Sequence, residues 1–130
     1  MRLFIAEEDS AVRLAYQMYL QQKPGYQVIG IADNGNGLPS QLKASQPDVL
    51  LLDWYLPGES TNELIADIRA LALQLKIVGI SIHPEDESEA RAAGVDHFIT
   101  KAAPPDELMV LLNTMKSQTT NGEPVSSKGE

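Results

Sequence analysis

Five short apolar runs, 3–6, 28–32, 49–52, 77–82 and 97–100, alternate along the chain with five segments of helical period. Continuous runs of this length suit parallel strands buried on both faces. The first helical segment opens at Asp9 or Ser10, either of which can cap it. It sets Val12, Ala15, Tyr16, Tyr19 and Leu20 on one face before Lys23-Pro24-Gly25 breaks it. A second, short helix is predicted over 38–45, ending before Pro47. The third spans about 60–73 and turns Leu64, Ile65, Ile68 and Leu71 inward. The fourth begins at Pro84, a favourable first-turn residue, and stops at Gly94. The fifth starts at Pro104-Pro105 and buries Leu108, Leu111, Leu112 and Met115.

Repeated strand–helix alternation predicts an α/β domain over 1–116, a (βα)5 doubly wound parallel sheet with helices on both faces. Right-handed crossovers narrow it to the flavodoxin-like strand order 2-1-3-4-5. Residues 117–130 contain one aliphatic side chain and read as a disordered tail or the start of a linker.

Composition removes several classes of function. The chain has 130 residues, enough for one domain with a proper core. It has no cysteine, which excludes disulfides and thiolate metal sites. Ten basic residues stand against eighteen acidic ones, for a net charge of −8, so this chain alone is a poor nucleic-acid binder. No apolar run approaches the roughly 20 residues that span a membrane. The first apolar run meets Glu7-Glu8-Asp9 too soon for a signal peptide, and a cytoplasmic protein is expected.

The candidate chemistry lies at the strand ends. Asp53 closes the apolar run Val49-Leu50-Leu51-Leu52, where an unpartnered carboxylate is costly. Glu7-Glu8-Asp9 follows the first strand, Ser81 ends the fourth, and Lys101 follows the fifth. In the predicted order these carboxyl ends share one crevice, where open α/β sheets bind ligands. Clustered carboxylates invite a divalent cation, and oxygen-only ligands suit Mg²⁺. Lys101 and the metal would neutralise a phosphoryl group on Asp53, and the Ser81 hydroxyl would donate to it. The set points to phosphoryl transfer with Asp53 as nucleophile. Each residue also has a plainer explanation: the acids as partners of a helix dipole, Ser81 as a turn residue, Lys101 as a solvated charge.

Over residues 1–116 the chain resembles the receiver domains of two-component response regulators. The resemblance rests on Phe4-Ile5-Ala6-Glu7-Glu8-Asp9, on Pro47-Asp48-Val49-Leu50-Leu51-Leu52-Asp53 followed by Leu56-Pro57-Gly58, and on Ser81, Phe98 and Lys101. The stretches 92–96 and 101–108 look most like receivers of helix-turn-helix output regulators. The resemblance implies that a sensor histidine kinase donates a phosphoryl group to Asp53. Mg²⁺ would be held by Glu8, Asp53 and the backbone carbonyl of Tyr55, with Glu7 acting through water. Lys101 and Ser81 would contact the phosphoryl oxygens. Ser81 and Phe98 would then switch the surface of the fourth helix, fifth strand and fifth helix, with a homodimer through that surface as one outcome. Such self-catalysed phosphotransfer is not classical enzyme turnover.

Three positions depart from the family pattern. Glu8 replaces the aspartate usual for the second acid, and its extra methylene shifts the carboxylate by roughly 1.5 Å. Thr61 stands where glycine is common, and Tyr55 is large enough to shield a phosphoryl group from water. The Glu8 departure keeps open a degenerate receiver that acts as a phosphorylation-independent interaction module. A haloacid-dehalogenase-like phosphatase would need a second acid where Tyr55 stands. A flavin phosphate would be repelled by the acidic loop after the first strand. His83 is read as a loop residue, with pH sensing as the alternative.

Overall fold

Alternation along the strands sends two sets of apolar side chains to opposite faces of one sheet. The computed structural model describes residues 1–122, with side chains to residue 118. Its elements are β1 (Arg2–Ala6), α1 (Ser10–Gln21), β2 (Gln27–Ala32), α2 (Leu38–Ser45), β3 (Val49–Asp53), α3 (Thr61–Ala70), β4 (Lys76–Ser81), α4 (Glu87–Ala93), β5 (His97–Thr100) and α5 (Pro105–Gly122). The five strands are parallel, in the order β2-β1-β3-β4-β5, as expected for a flavodoxin-like sheet. Phe4, Ala6, Leu50, Leu52 and Ile77 pack under α2, α3 and α4, against Leu38, Leu42, Leu64, Ile65, Ile68 and Ala90. Leu3, Ile5, Val49, Leu51, Val78 and Ile80 pack under α1 and α5, against Leu20, Leu108, Leu112 and Met115. Every residue of β3 is buried, which is why its sequence carries no polar alternation.

Local chemistry sets the element ends. Asp9 caps α1 by accepting from the N–H groups of Ala11 and Val12 at 2.9 and 3.1 Å. Ser60 caps α3 by accepting from Glu63 N–H at 3.2 Å. The third helix ends at Ala70 rather than near residue 73, because Ala72 takes a left-handed conformation (φ 56°) and turns the chain. Leu71 is therefore only half-buried, whereas Leu75 reaches the core. The fourth helix starts later than predicted. Pro84–Asp86 forms a 3-10 turn, and α4 proper begins at Glu87. Gly94 closes α4 at φ 118°, where a Cβ would also stand 3.2 Å from Ile65 Cγ2. On α1, Leu20 is buried and Tyr16 half-buried, but Ala15 faces solvent.

The fifth helix continues to Gly122, into the segment expected as tail from residue 117. Extending an existing helix costs little per residue, so polar residues can follow an amphipathic start. Residues 123–130 of the expected tail lie outside the described residues. Among the described residues, no helix is long and apolar enough to cross a membrane.

Candidate functional site

Sheet register brings the site together. Ala6 pairs with Leu52, Asp53 with Ile80, and Ser81 with Thr100. Glu7 and Lys101 come next on the outer two of these strands. The pleat that sends Ile5, Leu51 and Ile99 toward α1 and α5 sends Glu7, Asp53 and Lys101 the same way. Glu7 and Asp53 are both buried. Lys101 Nζ lies 2.9 Å from Glu7 Oε1 and 3.5 Å from Asp53 Oδ1, and donates to Glu7 Oε2 at 3.1 Å. Glu7 Oε1 nevertheless lacks an aligned hydrogen-bond donor.

The backbone fixes Asp53 from its own turn. Tyr55 N–H donates to Asp53 Oδ1 at 3.0 Å, and Glu8 N–H approaches Oδ2 at 3.4 Å. Trp54 N–H donates to Ile80 O at 2.8 Å, and the buried Thr61 hydroxyl donates to Trp54 O at 2.6 Å. Thr61 thus ties the start of α3 to the loop after Asp53.

Electrostatics follow from burial. Burial pushes the Glu7 carboxyl up; Lys101 and the Asp9 N–H pull against it, and the charge of Asp53 adds to it. Burial likewise pushes the Tyr16 phenol up to about 12, with Glu7 and Asp53 acting in the same direction. Tyr16 therefore borders the site as well as packing α1. Arg13 supports the acidic loop from below, donating from Nη1 to the carbonyls of Glu7 and Glu8 at 2.8 and 3.3 Å. Neither role was visible in the helical pattern, which marked Tyr16 only as a packing residue.

The remaining candidates stand apart from this centre. Glu8 is exposed, and its N–H approaches Asp53 Oδ2. Tyr55 is exposed and meets the His83 ring edge-on, with centroids 5.8 Å apart. Ser81 follows Ile80, so the pleat turns its side chain toward the opposite face from Asp53. The Ser81 hydroxyl donates to Asp86 Oδ2 at 2.7 Å and accepts from His83 N–H at 3.0 Å. Phe98 is half-buried beside Gly79, on the face covered by α2, α3 and α4.

Two buried carboxylates against one ammonium leave a negative charge at the centre, with Glu7 Oε1 lacking an aligned donor. This all-oxygen set fits a hard divalent cation that keeps several waters. Among the described residues, no three carboxylate or imidazole groups converge as a closed metal cage. A cavity of about 780 Å³ opens at the opposite, N-terminal edge of the strands, beside Asp48, Lys76 and Asp96, away from this chemistry.

Residues 3–113 match the response regulator receiver domain family. The chain belongs to that family. The receiver is 33% identical over 116 residues to the transcriptional regulatory protein CitT of Bacillus subtilis, covering 88% of this chain and 51% of CitT. It is 28% identical over 118 residues to the phosphate regulon transcriptional regulatory protein PhoB of Escherichia coli, covering 88% of this chain and 51% of PhoB. The receiver thus spans about half the length of the curated relatives it matches. Among solved structures, it resembles a LuxR-family DNA-binding response regulator from Staphylococcus aureus with TM-score 0.78 and 25% identity, over 87% of this chain and 96% of that one. A LuxR-family two-component response regulator from Aurantimonas sp. SI85-9A1 shares the fold with TM-score 0.81 and 24% identity, over 89% of this chain and 84% of that one. These relatives are named as regulators, not as enzymes.

Proposed function

We propose that this receiver accepts a phosphoryl group on Asp53 from the phosphohistidine of a sensor histidine kinase, in a Mg²⁺-dependent reaction. The observation that carries the reading is the Asp53 carboxylate, buried at the carboxyl edge of the sheet with Lys101 Nζ 3.5 Å away. Asp53 Oδ2, with only the long Glu8 N–H contact, is the freer oxygen to attack phosphorus. An O–P bond forms as the N–P bond breaks, and the electron pair stays on the departing imidazole. Lys101 then shares its charge between Glu7 and a phosphoryl oxygen. Asp53, Glu8 and the Tyr55 carbonyl would hold Mg²⁺, with Glu7 through water, and the ion would offset charge on the transferring group. Ser81 and Phe98 would report the new charge to the surface of α4, β5 and α5, through which a second receiver would dock.

The test is intact mass after incubation with acetyl phosphate. One added phosphoryl group is expected, absent without Mg²⁺ and absent in Asp53→Asn. No gain in wild type would reject the reading. The exposure of Glu8 favours one other reading, a phosphorylation-independent interaction module. Under that reading Glu8→Asp would restore phosphorylation that wild type lacks.

A further inference from the structure

The Ser81 hydroxyl is fully buried and has one proton to give. It gives that proton to Asp86 Oδ2 at 2.7 Å, a well-formed hydrogen bond. Its accepting side is taken by His83 N–H at 3.0 Å. The same proton cannot also serve a phosphoryl oxygen on Asp53. Asp86 also stands beside the Tyr55 phenol, whose pKa it raises through a side-chain hydrogen bond, but that phenol lies on an exposed residue and Ser81 is the buried partner. The Asp86 side chain does not cap α4, and its own N–H donates to His83 O within the 3-10 turn. The neighbouring acids are placed differently: Glu87 pairs with Arg91, and Glu85 lies 3.7 Å from His83 Nδ1.

We propose that Asp86 is a positioning residue that holds the Ser81 hydroxyl away from the phosphoacceptor, so that phosphorylation must displace the Ser81–Asp86 hydrogen bond. The proposal rests on the phosphotransfer reading above. Asp86 and the phosphoryl group are rival acceptors for one hydroxyl, on opposite sides of the end of β4. The turn Pro84–Asp86 that carries the rival leads directly into α4. Surrender of Ser81 by Asp86 therefore frees the segment that begins the proposed output surface.

The test uses beryllofluoride with Mg²⁺ as the phosphoryl mimic. Trp54, the chain's one tryptophan, is adjacent to Asp53 and reports binding by fluorescence. Asp86→Ala is expected to bind the mimic about tenfold more tightly than wild type, the scale of one charge-assisted hydrogen bond. Asp86→Asn, which keeps an acceptor without the charge, should fall between. The gain should vanish in a Ser81→Ala background, and Glu85→Ala, which removes a nearby charge without a bond to Ser81, should not reproduce it. Equal affinity of Asp86→Ala and wild type, or a gain that persists without Ser81 or appears with Glu85→Ala, would overturn the proposal. Failure of wild type to bind the mimic would instead reject the phosphotransfer reading on which it rests.

Discussion

Lys101 serves two buried carboxylates with a single charge, and that imbalance makes the site costly to the fold. Burial raises the Glu7 pKa above its ordinary value of 4.5. The folded protein therefore binds a proton more readily than the unfolded chain, and stability falls as pH rises from that value through the raised one. At neutral pH Glu7 is therefore a net cost to the fold. Glu7→Gln should melt higher than wild type at pH 7, by about 3 °C, which corresponds to roughly 1 kcal/mol in a chain of this size. The difference should shrink as pH falls toward 4.5. Thermal unfolding across pH checks this, and a lower melting temperature at pH 7 would contradict it. The sequence showed which residues reach the strand ends, but not how they divide. Spacing put Ser81 in one crevice with Glu7 and Asp53, whereas the pleat after Ile80 turns it to the other face, toward an Asp86 on a turn that no periodicity marks.

At the level of elements, one tether holds the site to its scaffold and a second secures the opposite edge of the sheet. The Thr61 hydroxyl satisfies Trp54 O at the loop after Asp53. Thr61→Val leaves that buried carbonyl without its donor and should cost about 1–2 kcal/mol in denaturant unfolding. An unchanged midpoint would show that the tether is dispensable. The second tether is Arg69, which donates to Leu75 O, Gly94 O and Asp96 Oδ2 and so joins the end of α3 to the segments that lead into β4 and β5. Burial pushes the Asp96 carboxyl up, but the Ile77 N–H and Arg69 outweigh it and hold it below its ordinary value of 3.8. The stabilisation is therefore present above about pH 4 and is lost as pH falls through the lowered pKa. Asp96→Asn should cost about 1 kcal/mol at neutral pH, a modest figure because water reaches both partners, and the loss should narrow below about pH 4. A pH-independent loss would contradict this. These tethers also explain the misplaced helix ends. Apolar spacing continues through Leu71 and Leu73, but the left-handed turn at Ala72 lets Leu75 enter the core and Arg69 reach β5.

For the whole molecule, five parallel strands in one order carry Asp53, Glu7 and Lys101 to one edge, and apolar runs alone were enough to expect that edge. Buried parallel strands leave a plain signature, and the strand order follows from crossover handedness. Surface states are less legible. The orientations of Glu8, Tyr55 and Ser81 depend on side-chain partners that spacing does not encode. The central claim is that Asp53 itself forms the acyl phosphate. The most direct test is to phosphorylate the receiver with acetyl phosphate and Mg²⁺, reduce the acyl phosphate with borohydride, and sequence the peptides by mass spectrometry. The account predicts homoserine at position 53 and nowhere else. Label on another residue, or none under conditions that leave the protein folded, would contradict it.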